Sequence, residues 1–173
     1  RMNDIKNNIA VQSWSFRAFK QIPQLIEQLK KVSVTATELC GVHADFNDES
    51  KFDAVFEQFK VAGIRIVSIG VEGFYGDEAA FEKRFKFLQR VGAKRMAISF
   101  PPDDHLNKLK VIERLAEKYD VYCGIHNHGG YDWLGSRRIL KYIFANCGPR
   151  IGLEMDAAWA MQAGENPIEM AEQ

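Results

Sequence analysis

Eight residues in the second half of the chain read Val121-Tyr122-Cys123-Gly124-Ile125-His126-Asn127-His128. Apolar side chains occupy every second position at its start, so an extended backbone would have one apolar face and one face of small and polar groups. The stretch Ile151-Gly152-Leu153-Glu154-Met155-Asp156 repeats this alternation with its polar residues at the same end. Both stretches are therefore predicted to be parallel strands in matching register, with their polar groups collected at the carboxyl ends.

Four more short strand-like segments precede these two, and stretches of helical periodicity separate them. The strand ends recur at intervals of roughly 28 residues, which is typical of one supersecondary unit used repeatedly. The predicted strands are residues 9–14, 34–39, 64–69, 95–98, 121–125 and 151–155. Because strand and helix alternate without hairpin turns, the pattern predicts a parallel sheet covered by helices.

The helical segments have apolar residues at spacings of three and four, which indicates helices that pack on a sheet. Two such stripes consist of Phe52, Val55, Phe56 and Phe59, and of Phe81, Phe85 and Leu88. The first strand is followed by Ser13-Trp14-Ser15-Phe16-Arg17, which contains no glycine. A glycine-rich phosphate loop is expected there in a dinucleotide-binding sheet, so the sequence favours an α/β barrel of the (β/α)₈ TIM type.

The length of the chain fits only part of such a barrel. A closed (β/α)₈ barrel typically needs about 250 residues, whereas these 173 residues hold about six βα units. Residues 1–173 are thus expected to form a single, incomplete TIM-barrel domain, with a last helix beginning at Asn166-Pro167-Ile168-Glu169. Two unpaired sheet edges would make a homo-oligomer possible.

Composition excludes several classes of partner. Apolar residues make up 46% and charged residues 27%, and 23 basic residues balance 23 acidic ones, so nothing in the charge favours nucleic acid or an anionic membrane. No apolar run approaches the roughly 20 residues that a membrane span needs, and the start is polar, which predicts a cytoplasmic protein. Cys40, Cys123 and Cys147 are too few and too scattered for a disulfide framework.

The polar residues at the two quoted strand ends are the candidates for chemistry. Asp156 is either a metal ligand or a carboxylate that accepts backbone N–H bonds at the turn after its strand. His126 and His128, one residue apart, can point to the same side and bind a metal or a substrate, and their spacing does not decide which coordinates. Glu154 either orients a histidine or belongs to an ion pair.

Other strand-end residues are weaker candidates for a substrate pocket. Trp14, Phe16 and Trp159 either form a ring-stacking wall for a sugar or fill the top of the core. Glu38 at the end of the second strand is either a proton acceptor or an ordinary exposed glutamate.

Four groups of residues together resemble the xylose isomerase-like TIM barrel superfamily, the sugar phosphate isomerases and epimerases, over essentially the whole chain. These groups are Val11-Gln12-Ser13-Trp14-Ser15-Phe16-Arg17, Glu38-Leu39-Cys40-Gly41, Gly124-Ile125-His126-Asn127-His128, and Gly152-Leu153-Glu154-Met155-Asp156-Ala157-Ala158-Trp159 with Gly164-Glu165-Asn166-Pro167.

The resemblance implies a divalent metal ion (Mn, Zn, Mg or Co) held at the carboxyl ends of strands five to eight. Asp156 matches the ligand on strand six, and the two ligands on strands seven and eight would lie outside this chain. His126 stands where the epimerases have a glutamate that is both ligand and base, so proton transfer between two carboxylates is in doubt. Trp159 replaces a histidine of many relatives, which places it, with Asn127, in the substrate pocket.

Three functions follow as hypotheses. The first is a metal-dependent isomerase or epimerase of a small sugar or polyol, which moves a proton next to a carbonyl with His126, His128 and Glu154 as catalytic candidates. The second is a lyase, dehydratase or glycoside-cleaving enzyme that uses one of the histidines as acid or base. The third is a noncatalytic sugar-binding remnant.

Overall fold

The computed structural model describes residues 9–172, and within this range strands and helices alternate as the sequence predicts. The strands are β1 (Val11–Gln12), β2 (Ala36–Leu39), β3 (Arg65–Gly73), β4 (Arg95–Ser99), β5 (Tyr122–His126) and β6 (Ile151–Glu154). The helices are α1 (Ile22–Lys31), α2 (Phe52–Ala62), α3 (Glu78–Val91), α4 (His105–Tyr119), α5 (Arg137–Phe144), α6 (Ala157–Gln162) and α7 (Pro167–Ala171). Short 3-10 turns occupy Ser13–Phe16, Glu49–Lys51 and Trp133–Gly135. No helix within residues 9–172 is long and apolar enough to span a bilayer.

The described chain divides into two compact units. The first comprises the residues up to Gly70 together with Glu82–Arg95, and the second comprises Val71–Phe81 and the residues from Met96 onwards. In the first unit the strand order is β1-β2-β3, and both pairings are parallel. In the second unit β4, β5 and β6 follow the end of β3 in chain order, and β5 pairs with β6 in parallel.

The core of the first unit forms from the predicted phenylalanine stripe and from α1. Phe52 and Phe59 of α2 are buried, and the helix ends at Gly63, whose φ of 71° suits a residue without a side chain. The Phe87 ring of α3 meets the rings of Phe46 and Phe52 edge-on, each with its centroid 5.0 Å away. These edge-to-face contacts stabilise the packing beyond the burial of apolar area.

The second unit buries β4 and one face of α4. Met96, Ala97 and Ile98 are fully buried, as expected for a strand of a parallel sheet with both faces covered. The buried face of α4 consists of Leu109, Ile112, Leu115 and Ala116 at helical spacing. The three cysteines are all free thiols, as predicted.

Three local expectations were wrong. The first strand ends at Gln12 rather than residue 14, because the Gln12 side chain accepts a hydrogen bond from the Trp14 N–H at 2.7 Å and turns the chain. Met155 is exposed instead of packed, since β6 ends one residue earlier. Of the two alternatives for Glu38, the ordinary exposed glutamate is wrong: only 8% of its surface is exposed, because all four residues of β2 lie inside the unit.

Candidate active site

The pairing of β5 with β6 brings His126 next to Glu154. These two residues are register partners, and the His126 Nδ1 and Glu154 Oε1 atoms are 3.8 Å apart. Two register pairs earlier along the strands, a Cβ atom on Gly124 would lie 2.7 Å from the Cβ of Glu154. A glycine is therefore needed at position 124 for Glu154 to occupy its place beside the imidazole.

Asn127 fastens the ends of the two strands together. Its side-chain amide donates to the Asp156 carbonyl at 3.0 Å and accepts from the Asp156 N–H at 2.7 Å. Asn127 is fully buried, so this pair of hydrogen bonds is shielded from water. The structure gives the side chain this positioning task, and a direct contact between Asn127 and a substrate stays a prediction.

The two predicted imidazoles lie together. The ring centroids of His126 and His128 are 4.6 Å apart, and the Trp159 ring lies 5.7 Å from that of His128. His128 Nδ1 is also 3.9 Å from Asp132 Oδ2. The sequence analysis missed Asp132, and the one signal for it was its spacing of four residues from His128 in a loop that contains Gly129 and Gly130.

His126 Nδ1 is a buried polar atom without a hydrogen-bond partner. Burial is the main cause that lowers the pKa of this imidazole, and the neighbouring His128 lowers it further, whereas the charges of Asp156 and Asp132 act in the opposite direction. A buried nitrogen without a partner costs free energy, which a ligand at that atom would offset. The neutral imidazole that burial favours is the form that binds a metal ion.

Asp156 serves as the N-cap of α6. Its Oδ1 atom accepts a hydrogen bond from the Trp159 N–H at 2.9 Å, which satisfies one of the free donors of the first helical turn. This is the backbone-capping alternative that the sequence left open. A carboxylate has a second oxygen, so capping by Oδ1 leaves Asp156 able to act as a one-oxygen ligand.

The donor chemistry of this cluster fits part of a divalent-metal site. The free imidazole nitrogen of His126 and the carboxylate of Asp156 are ligand types that Zn, Mn and Co accept. Within residues 9–172, however, no group of three or more His, Cys, Asp or Glu side chains is arranged to hold a metal ion. The described residues therefore provide a partial ligand set.

Three predicted site residues belong to the first unit. Trp14 is 54% exposed in the 3-10 turn after β1, and Phe16 in the same turn is half-buried. Glu38 Oε2 accepts a hydrogen bond from Ser68 Oγ at 2.6 Å. Burial raises the pKa of Glu38, and the hydrogen bonds from Ser68 and Gln12 partly oppose that effect.

Comparison with known proteins defines the fold. No family model matches the chain, and no curated protein matches it. Solved structures do match, and they show that the chain has the α/β fold of part of a TIM barrel, so the predicted fold class is confirmed.

Three of these structures illustrate the likeness. A sugar phosphate isomerase/epimerase from Parabacteroides distasonis has 18% identity and a TM-score of 0.69, with 95% of this chain and 70% of the other covered. A D-tagatose 3-epimerase-like protein has 14% identity and a TM-score of 0.73, with 94% and 69% covered. The probable 3-DHS dehydratase of petrobactin synthesis from Bacillus anthracis has 14% identity and a TM-score of 0.72, with 95% and 68% covered.

Proposed function

We propose that this protein is a metal-dependent isomerase or epimerase that moves a proton next to the carbonyl of a small sugar or polyol. The observation that carries the proposal is the buried, unpartnered Nδ1 atom of His126, at the carboxyl end of β5 and beside a second imidazole. Catalytic residues of TIM-barrel enzymes collect at this end of the strands. The sugar isomerases and epimerases among the fold neighbours make this chemistry the first to test.

His126 and Asp156 are the proposed metal ligands. The β5–β6 pairing and the Asn127 bridge fix the backbones that carry both groups, so the ligands need little rearrangement when a cation binds. A bound divalent cation would polarise the substrate carbonyl and stabilise negative charge that develops on its oxygen. Glu154 Oε1 lies 3.8 Å from the same Nδ1 atom, so its carboxylate would face the bound cation rather than hold the opposite ring nitrogen.

His128 is the proposed proton carrier. Its ring is more accessible than that of His126, with 37% of the side chain exposed, and its Nδ1 atom lies 3.9 Å from Asp132 Oδ2. Histidine is the side chain that enzymes use most often to carry protons, which suits proton transfer at a carbon next to a carbonyl. Trp159 beside His128, together with Asn127, is proposed to contact the substrate, and a substrate contact of Trp14, Phe16 or Glu38 stays a prediction from the sequence.

Metal binding tests the ligand assignment separately from activity. We expect Co²⁺, followed by its absorption spectrum and by titration calorimetry, to bind the wild-type protein and to bind Asp156→Asn about 10-fold or more weakly. Asparagine is as good an N-cap as aspartate, so this variant keeps α6 capped while it loses the charge. Cobalt binding of equal strength in wild type, His126→Ala and Asp156→Asn would reject the assignment.

Solvent labelling tests the reaction. A panel of ketoses incubated in D₂O should gain deuterium at carbon without loss of water or of a fragment, and His128→Ala should lower the rate by about 10²–10⁴-fold. Asp120→Asn is a suitable control, because Asp120 forms an exposed ion pair with Arg150 outside this cluster. Sugar binding without turnover would instead support a noncatalytic binding protein.

A dehydratase or lyase is the second candidate. The strand β5 ends in an imidazole rather than a carboxylate, and one fold neighbour is a probable dehydratase. An imidazole beside a substrate hydroxyl can protonate it as it leaves as water. Release of water, detected as a new carbon–carbon double bond by ultraviolet absorption, would favour this candidate over the isomerase.

A further inference from the structure

A second group of polar side chains lies buried in the first unit, and the proposed reaction does not use it. Ser13, Cys40 and His43 have only 0%, 5% and 7% of their surface exposed. Ser13 follows β1, Cys40 follows β2, and the turn after β2 brings His43 back, with its N–H donating to the Cys40 carbonyl at 3.0 Å. We call these three residues the Ser13 cluster.

The His43 ring bridges the two ends of one chain segment. Its Nδ1 atom lies 3.0 Å from Ser13 Oγ, and its Nε2 atom lies 3.1 Å from the carbonyl oxygen of Phe19. The Ser13 hydroxyl also accepts the Cys40 N–H at 2.9 Å and lies 3.1 Å from Cys40 Sγ. One imidazole thus joins the first and last residues of segment 13–19.

The partners of the ring determine where its proton lies. A carbonyl oxygen only accepts hydrogen bonds, so His43 Nε2 must carry the proton that faces Phe19. In the neutral ring Nδ1 is then an acceptor, and both the Ser13 hydroxyl at 3.0 Å and the Cys40 thiol at 3.7 Å are available to donate to it. Burial lowers the pKa of His43, which agrees with a neutral ring.

The bridged segment carries two of the residues that the sequence predicts to contact a substrate. Between the anchors lie Trp14 and Phe16, and the Phe19 N–H donates to the Phe16 carbonyl at 2.8 Å. Arg17 stacks over the Trp14 ring with its guanidinium 5.2 Å from the ring centroid, and its Nη1 atom donates to the Trp14 carbonyl. The bridge therefore closes a loop that carries the exposed Trp14 ring and the half-buried Phe16 ring.

We propose that His43, as the neutral Nε2–H tautomer, is a positioning residue that closes segment 13–19 and fixes Trp14 and Phe16 in place. It acts through Ser13 and Phe19 and does not itself meet a substrate. The role of the two aromatic residues in substrate binding rests on the proposed function, whereas the bridge and its tautomer do not.

The tautomer is tested first, on the unmodified protein. Long-range ¹H–¹⁵N correlation spectra of the uniformly labelled chain at neutral pH should show a protonated Nε2 and an unprotonated Nδ1 for His43. His43→Gln identifies the resonances by their loss. A protonated Nδ1, or a doubly protonated ring, would overturn the proposal whatever the protein catalyses.

The positioning role is tested on the tryptophan that the bridge holds. With 5-fluorotryptophan in all three positions and Trp14→Phe to assign the signals, His43→Leu should shift the Trp14 ¹⁹F resonance towards that of the free amino acid. The Trp133 and Trp159 resonances should stay in place. His43→Gln has one donor and one acceptor, as the neutral ring has, and should restore most of the wild-type shift.

Ser13→Ala provides a second route, because it removes one anchor and leaves the imidazole in place. It should shift the Trp14 resonance in the same direction by a smaller amount. An unchanged Trp14 resonance in folded His43→Leu or in Ser13→Ala would overturn the positioning role. A shifted resonance in a protein that turns over no sugar would uphold the bridge while rejecting the proposed function.

Discussion

His43 in the first unit and His126 in the second both lie at or just beyond the carboxyl end of a strand, yet their surroundings differ in one respect. Both nitrogens of His43 have partners within 3.1 Å, whereas Nδ1 of His126 is buried without one. Burial lowers the pKa of both rings. A buried imidazole with full hydrogen bonding stabilises the fold, and one with a free nitrogen retains the capacity to bind something else.

The largest expected effect tests this difference between His43 and His126. His43→Leu should lower the free energy of unfolding by about 2–4 kcal/mol, because it leaves the Ser13 hydroxyl and the Phe19 carbonyl buried without a partner. His126→Leu should change it by about 1 kcal/mol or less, since the lost nitrogen had no partner. Urea unfolding of the two variants measures both values. Equal losses would show that the free nitrogen of His126 does not distinguish the two sites.

The next effect concerns the loop that follows His126. In Gly135→Ala the new Cβ atom would overlap the backbone carbonyl oxygen of His128, which cannot move freely, so we expect a loss of about 1–3 kcal/mol. Gly129→Ala is the matched variant, because its Cβ would overlap only the end of the flexible Gln162 side chain, with the Trp159 carbonyl oxygen at 3.0 Å. Thermal unfolding should therefore give a lower Tm for Gly135→Ala than for Gly129→Ala, and the reverse order would contradict this account of the loop.

A smaller effect separates the two tasks of Asp156. Asp156→Ala should cost about 1 kcal/mol of unfolding free energy through the lost cap of α6, whereas Asp156→Asn should cost only a few tenths. Both variants should lose Co²⁺ binding if the carboxylate is a ligand. An alanine variant as stable as the asparagine variant would mean that the capping bond contributes nothing, and urea unfolding decides between these outcomes.

The smallest effect is the pH dependence that Glu38 produces. Burial raises the pKa of Glu38 in the folded protein, so folding favours its protonated form. Stability from this group is complete below the ordinary glutamate pKa and is lost as the pH rises through the raised value. Between the ordinary and the raised pKa of Glu38, the free energy of unfolding of the wild-type protein should therefore fall relative to that of Glu38→Gln. Urea unfolding at a series of pH values measures this difference. A wild-type protein that becomes more stable relative to Glu38→Gln as the pH rises would contradict the raised pKa.

The sequence predicted the fold well, because a sheet covered by helices leaves a strong pattern. Strands β2 to β6 lie where alternation and β-branched residues placed them, and the β5–β6 register follows from their matched apolar faces. The N-cap of α7 at Asn166 is also confirmed. The turn at Ser13–Phe16 was missed because a hydrogen bond that the Gln12 side chain accepts from the Trp14 N–H, which no periodicity reveals, ends β1 early.

The candidate site was only partly predictable. His126 and Glu154 follow from strand geometry, which fixes side chains at alternate positions, and His128 and Asp156 come two residues after these strand ends. Asp132 and His43 lie in irregular segments, where the path of the chain depends on tertiary contacts, and no motif surrounds either residue. The capping role of Asp156 was foreseen as an alternative, and the locking role of Asn127 was not, because both depend on atoms that meet only in the folded chain.

Because β1 contains only two residues, it is expected to be a site of early local unfolding. Two residues give only two register pairs with β2, and side chains provide much of the remaining attachment: Thr37 Oγ1 donates to the Val11 carbonyl at 2.7 Å, and Gln12 Nε2 donates to the Gly70 carbonyl at 3.3 Å. Amide hydrogens near Val11 should therefore exchange with solvent deuterium through small local fluctuations, well before those of β4 or β5. Detachment of the residues around Val11 from β2 would be an early step in local unfolding of the native state.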